Sequence, residues 1–156
     1  MATEIERKFL VKSDDYRAEA SSQTHIVQGF LSVDPERTVR IRLQDRKGML
    51  TIKGKSNASG TTREEWEYEI DHDECVELMQ LSIHDPIDKI RYKVDFGKYV
   101  FEVDEFGGSN QGLILAELEL DNEDENFPKP SWLGMEVTGD PKYYNSRLSE
   151  KPFKKW

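Results

Sequence analysis

Polar and apolar side chains alternate strictly along most of this chain. In Glu4-Ile5-Glu6-Arg7-Lys8-Phe9-Leu10-Val11, an extended strand puts Glu4, Glu6 and Lys8 on one face. Ile5, Phe9 and Val11 take the other face, with Arg7 at its margin. The same period of two predicts strands over His25 to Val33, Thr38 to Leu43, Met49 to Lys55 and Arg63 to Ile70. Beyond Pro86 it predicts three more: one around Lys89 to Val94, one carrying Glu102 and Asp104, and one from Leu113 to Asp121. Turn residues separate them: Asp34-Pro35-Glu36, Arg46-Lys47-Gly48, Phe96-Gly97-Lys98-Tyr99 and the glycine-rich Gly107 to Gly112. That glycine-rich stretch lacks a Gly-Lys-Ser/Thr ending, so it reads as a hairpin connection and not as a phosphate-cradling loop.

Helical spacing is rarer. Ser13-Asp14-Asp15 predicts a cap before a short helix near Tyr16 to Ala20. Asp71 to Leu81 reads as a helix with Asp71 or Asp73 as cap and an apolar stripe of Cys75, Val76, Leu78 and Met79. The tail predicts an acidic turn, a short helix around Trp132, a strand at Glu136-Val137-Thr138 and a helix near Tyr143 to Glu150.

A chain of 156 residues is long enough for one domain with a real core, and residues 1–156 are read as one. Its formal net charge of −9 argues against nucleic acid or an anionic membrane as partner, since both require a basic surface. The one cysteine, Cys75, excludes an internal disulfide and a thiolate metal cluster. His25, His72 and His84 fall on unrelated elements and do not suggest zinc. No apolar run is long enough for a membrane span and the start of the chain has no signal-peptide pattern, so a cytoplasmic protein is expected.

With 34% charged residues, the charge needs a place. Nearly every predicted strand has one apolar face and one face carrying ionised groups of both signs. About eight strands on short turns make an antiparallel sheet, and two architectures fit. In a sandwich the charged faces are solvated outside. In a closed barrel they line the lumen, and helices or a second subunit cover the apolar outside, which makes a homodimer compatible with the pattern. An eight-stranded barrel has room for side chains or one small ligand. Arginines and lysines converging on such a lumen bind a compact polyanion, because the guanidinium fork matches phosphate oxygens. Carboxylates facing them suit the Mg²⁺ or Mn²⁺ that accompanies a polyphosphate. Phosphoryl transfer rests on positioning and charge neutralisation, which fits a chain with no Ser-His-Asp or Cys-His constellation.

The ordered set Glu4-Ile5-Glu6-Arg7-Lys8-Phe9, Arg40-x-Arg42, Thr51-Ile52-Lys53, Arg63-x-Glu65-x-Glu67, Lys89-x-Arg91, Glu102-Val103-Asp104, Glu117-x-Glu119 and Trp132 to Thr138 resembles the CYTH superfamily, the triphosphate tunnel metalloenzymes. The resemblance spans essentially the whole chain. It implies a mainly β, α+β fold: a closed eight-stranded antiparallel tunnel with a charged lumen, flanked by short helices. By position, Glu4, Glu6, Glu117 and Glu119 resemble metal ligands, with Asp104, Glu65 and Glu67 helping to hold a second ion or its waters. Lys8, Arg40, Arg42, Lys53, Lys89 and Arg91 resemble a triphosphate clamp that Arg63 supports, and Lys151 is the candidate for a lysine that closes the tunnel. Catalytic work falls to Lys8, Glu65 and Glu67. The implied activity is metal-dependent hydrolysis of inorganic triphosphate or a short polyphosphate. The alternatives are a class IV adenylate cyclase, a thiamine triphosphatase and a non-catalytic polyphosphate- or nucleotide-binding module. One departure stands out: bacterial inorganic triphosphatases resembling this chain often carry a tyrosine after Gln-Gly on the second strand, paired with the first-strand lysine. Here Phe30 follows Gln28-Gly29, so water activation rests on metal and carboxylates, and Phe30 is a candidate to fill one tunnel mouth.

Overall fold

The computed structural model describes residues 2–156; Met1, part of the chain start in which a leader pattern was sought, lies outside them. Nine strands occur among the described residues: β1 (Ala2–Val11), β2 (Ser22–Ser32), β3 (Arg37–Gln44), β4 (Lys47–Gly54), β5 (Thr62–Ile70), β6 (Ile87–Phe96), β7 (Tyr99–Phe106), β8 (Ile114–Glu119) and β9 (Leu133–Glu136). Three α-helices join them: α1 (Tyr16–Glu19), α2 (His72–Met79) and α3 (Asn145–Glu150). All strands pair antiparallel in the order β5-β4-β3-β2-β6-β7-β8-β1-β9.

A further pairing, Ala2↔Glu65 to Ile5↔Thr62, joins β1 to β5 and closes the first eight strands into a barrel. This decides between the two architectures open to the pattern: the charged faces point inward. β1 is the keystone. One of its edges pairs with β8 from Glu6 to Leu10, and the other pairs first with β5 and then, at Phe9 and Val11, with β9. The short β9 takes over where β5 diverges.

Apolar outer faces are covered from within the chain. Phe9, Val94, Phe101, Val103, Ala116 and Leu118 pack against Tyr16 and against Leu120, Trp132 and Leu133 of the late segment. Trp132 meets Tyr16 and Phe101 edge-on, at centroid distances of 5.9 and 5.5 Å. On the other side of the barrel α2 lies across β2, β3 and β4. Asp71 caps it as expected, its side chain accepting from the backbone N–H groups of Asp73 and Glu74. Cys75 is buried there, and its thiol donates to the Arg42 carbonyl at 3.4 Å.

The inner face is charged for only part of its length. Phe30, Ile87, Phe106 and Leu115 continue the inward-facing rows of β2, β6, β7 and β8. They form an apolar cluster with Leu113, Val137 and Leu148 of α3. One end of the lumen is therefore sealed by hydrophobic side chains, with α3 laid against them. The tail differs from expectation in two places. Trp132 lies in a turn and not in a helix, because its ring is wholly buried among aromatics and packing sets the backbone. The late strand is Leu133–Glu136 and ends before Val137, beyond which β1 is met by one backbone bond, from the Val137 N–H to the Lys8 carbonyl at 2.8 Å, and then by the Thr138 side chain in place of its backbone. No helix among the described residues is long and apolar enough to cross a membrane.

Candidate active site

Alternation on β1 aims Glu4, Glu6 and Lys8 into the barrel, and the same rule on its neighbours brings in Arg40 and Arg42 (β3), Thr51 and Lys53 (β4), Arg63 (β5), Lys89 (β6) and Glu117 (β8). Together they enclose a cavity of about 100 Å³. Its remaining wall comes from Thr38 and Phe30, the loop residues Ser56, Gly60 and Thr61, and Thr138, Gly139, Tyr144, Asn145 and Ser146 from the tail. Gly60 and Gly139 both have φ near +78°, and a Cβ on Gly60 would stand 2.4 Å from the Gly139 Cα. Only glycine allows this crossing, which brings the β4–β5 loop and the tail together at the cavity rim.

The carboxylates stand in pairs. Glu4 accepts from the Lys53 ammonium at 2.8 Å and is hydrogen-bonded to Glu65. Burial alone would raise its pKa, but the Lys53 charge and these hydrogen bonds outweigh burial, and the pKa falls to about 2. The partner behaves oppositely: burial and the Glu4 carboxylate push Glu65 up to about 7. Glu6 and Glu117 form a second such pair. Burial and the neighbouring Glu117 charge raise Glu6 well above the carboxylate range. Glu117, equally buried, is held well below it by Lys8, Arg91 and Lys89. In each pair the proton is favoured on one carboxyl group while the other stays ionised. Among the described residues no three carboxylates, imidazoles or thiols already converge as a ligand set.

The cations are held from behind. Lys8 Nζ donates to the Tyr143 carbonyl at 3.1 Å, with Glu117 at 4.0 Å and the Tyr144 ring centroid at 5.7 Å. Arg40 donates to Thr51 Oγ1 at 3.1 Å and lies 3.6 Å from Glu67, which itself accepts from Thr51 at 2.9 Å. The buried Arg40 Nε has no protein partner. Arg42 donates through Nε to Gln28 at 2.9 Å. Arg63 is tied to the Gly54 carbonyl at 2.9 Å and to Thr38 at 3.1 Å. Lys89 is almost wholly buried, with Asp104 at 2.8 Å and Asn145 at 3.0 Å. Burial, reinforced by neighbouring cations and opposed by the acids, depresses Arg42 to about 9 and Lys89 to about 7. Four cations, Arg40, Arg42, Lys89 and Arg91, are close enough to feel one another.

A model of the CYTH domain matches residues 2–147. The chain belongs to the CYTH family. An inorganic triphosphatase of Acetivibrio thermocellus is 45% identical to this CYTH chain over 99% of it and 97% of the relative. One from Nitrosomonas europaea is 34% identical over 94% of this chain and 97% of the relative. Among solved structures, that of the inorganic triphosphatase NE1496 superposes with a TM-score of 0.67 at 31% identity, covering 96% of this chain and 95% of the other. A Hippeastrum protein described as a putative adenylyl cyclase with a dominant triphosphatase activity shares the fold, with a TM-score of 0.62 at 17% identity over 76% of this chain and 80% of its own.

Within this CYTH tunnel the expected site residues separate into groups. Glu4, Glu6, Lys8, Arg40, Arg42, Lys53, Arg63, Lys89 and Glu117 line the cavity. Glu65, Glu67 and Arg91 stand behind them as partners of Lys53, Arg40 and Asp104. Asp104, expected by the resemblance to help hold an ion, lies behind the wall. Its oxygens are bonded by Arg91 at 2.8 and 2.9 Å and by Lys89 at 2.8 Å, so it anchors two cations. Glu119 is exposed at the rim, in an open groove with Lys93, Glu102 and Asp121; it stands opposite Glu6 in the β1–β8 register, and burial and the Glu4 carboxylate raise its pKa. Lys151 does not close the tunnel: it follows α3 on the outer surface, in a groove with Lys142 and Trp156. Phe30 both lines the cavity and belongs to the apolar seal, in keeping with its reading as a mouth-filler. Sequence reasoning missed Tyr144 and Asn145, which lie in a tail without alternation. The one signal available was their place just after Gly139-Asp140-Pro141, a turn that returns the chain to the barrel.

Proposed function

We propose that this chain is a divalent-metal-dependent triphosphatase that splits inorganic triphosphate, or a short polyphosphate, into phosphate and diphosphate. The observation that carries the reading is the convergence of six cationic side chains on one small cavity: Lys8, Arg40, Arg42, Lys53, Arg63 and Lys89. A lumen this cationic is costly without an anion of high charge density. The relatives named as inorganic triphosphatases over nearly their whole length support the same substrate. The acidic surface of the chain, at net charge −9, favours such a small anion over nucleic acid, and a cytoplasmic setting suits a chain with one buried cysteine.

The metal reading rests on the donor set. Glu4, Glu6 and Glu117, with Glu65 behind them, are hard oxygen donors crowded in pairs, and a cation such as Mg²⁺ or Mn²⁺ fits where protons now relieve that crowding. Bound there, a divalent ion would neutralise phosphate oxygens and make the attacking water more acidic. The chain's own side chains do the rest. Arg40 and Arg42 present guanidinium groups to phosphate oxygens, and Lys8, Lys53 and Lys89 add point charges. Water attacks the terminal phosphorus, the bridging P–O bond breaks, and diphosphate leaves with its new charge held by these cations. Glu67 keeps Arg40 in place, and Glu65 holds or releases a proton near neutral pH. Position 30 supplies no phenol for a dyad with Lys8.

Phosphate release by the purified protein on triphosphate, ATP and thiamine triphosphate, with Mg²⁺ or Mn²⁺, tests the reading. Triphosphate should be cleaved only with metal, and ATP should give no cyclic AMP. Glu6→Ala and Glu117→Ala should each fall about 100-fold or more, the loss typical of removing a transition-state stabilising group. Glu119→Ala, at the rim, should keep most of the rate. Full activity in Glu6→Ala would remove the metal assignment, and cyclic AMP from ATP would replace hydrolase by cyclase.

A further inference from the structure

A buried chain of hydrogen bonds runs behind the cavity and passes through a residue that no barrel strand contributes. Arg42 Nε donates to Gln28 Oε1 at 2.9 Å, and Gln28 Nε2 donates to Asn145 Oδ1 at 2.8 Å. The same Asn145 oxygen accepts from Lys89 Nζ at 3.0 Å, and Lys89 continues to Asp104 and so to Arg91. Gln28 is fully buried and Lys89 nearly so.

The orientation of both amides follows from chemistry. A guanidinium and an ammonium only donate, so the atoms facing Arg42 and Lys89 must be carbonyl oxygens. That leaves the Gln28 amide N–H to point at Asn145 and the Asn145 oxygen to accept twice. The Asn145 amide nitrogen has no acceptor among the described residues, and Asn145 lines the cavity. Lys89 has three protons: Asp104 and Asn145 take two, and the third is left for the lumen.

Building on the triphosphatase reading, we propose that Asn145 is a positioning residue that aims Lys89 directly, and Arg42 through Gln28, at the bound triphosphate. An asparagine suits this role where an aspartate would not. Its carbonyl accepts from both partners without adding negative charge, so Asn145 aims Lys89 and Arg42 without offsetting their charge. Leu148, one turn along α3, is buried in the apolar seal and fixes the height at which Asn145 enters. The tail therefore takes part in organising the clamp.

Asn145→Asp and Asn145→Ala separate this role from a merely structural one. The aspartate is isosteric and still accepts from Gln28 and Lys89, so the fold should be kept while KM for triphosphate rises about tenfold or more through the added charge. The alanine leaves Lys89 and Gln28 without an acceptor, and kcat should fall about 10- to 100-fold. Gln28→Ala should resemble it, and the double variant should be no worse than the poorer single one, because both act through one chain of bonds. Arg147→Ala, on the exposed side of α3, serves as the control that leaves activity unchanged. Wild-type kcat and KM in both Asn145 variants would overturn the proposal, as would full additivity of Gln28→Ala and Asn145→Ala. Should either Asn145 variant fail to fold, Gln28→Ala decides: unchanged kinetics there would overturn it too. If the unsubstituted protein does not cleave triphosphate, the triphosphatase reading fails by itself, and calorimetric binding of triphosphate by the same variants then tests Asn145. Weaker binding supports the aiming role, and equal binding overturns it.

Discussion

At the scale of residues, the site is built from carboxyl groups that share protons and cations that crowd one another. Glu65, held up at about 7, and the raised Glu6 keep protons in the folded chain that the unfolded chain loses near the ordinary carboxyl value of 4.5. A raised folded pKa gives stability that is complete below the unfolded value and is lost as pH climbs through the folded one. The metal-free protein should therefore lose stability between about pH 5 and 7. Glu65→Gln, which keeps a hydrogen bond to Glu4 without titrating, should flatten that slope in urea unfolding followed across pH. An identical slope would mean that Glu65 is not protonated in the fold. Saturating Mg²⁺ should flatten it as well, since the cation takes the place of the protons.

At the scale of elements, inward and outward faces were legible in the sequence because a strand repeats every two residues, and Glu4/Glu6/Lys8, Arg40/Arg42 and Lys89/Arg91 all face inward as read. Depth along the barrel axis was not legible. It depends on the registers of successive strand pairs, which place Glu119 at the rim and Asp104 behind the wall although both sit on inward rows. The tail was read least well. Trp132 was assigned a helix because local propensity cannot anticipate an aromatic socket formed by Tyr16 and Phe101, both far away in sequence. Asn145 carried no periodic signal at all. The crossing of Gly60 and Gly139 offers a test at this scale. A Cβ on Gly139 would lie 2.7 Å from the Ser59 carbonyl oxygen, at a φ that disfavours side chains. Gly139→Ala should cost about 1–3 kcal/mol in urea unfolding. It should also raise KM for triphosphate, because both strands of the crossing line the cavity. An undisturbed KM would show that the rim is independent of the site.

For the whole molecule, the unliganded barrel carries an electrostatic load that its substrate should lift. Burial and like charge depress Lys89 to about 7 and Arg42 to about 9, so a polyanion should bind the folded form alone and stabilise it. At about 100 times Kd, triphosphate with metal should add about 2.7 kcal/mol, a rise of several degrees in Tm for a domain of this size. Arg42→Ala should lose most of that rise, and an unchanged rise would place Arg42 outside the clamp. The closure through β1 has a consequence for biogenesis. The first strand made has no partner among its sequence neighbours: it waits for β5, β8 and β9. During synthesis β1 lacks its β8 and β9 partners until residues 114–136 have been made, and loop-closure entropy makes so distant a pairing slow. A nascent chain stalled before Ile114 can zip β2 to β7 by neighbouring hairpins and one crossover, yet it has no tunnel, since Glu4, Glu6 and Lys8 have no barrel to face into. Closure of the tunnel, and with it the cavity, thus waits for β8 to meet β1.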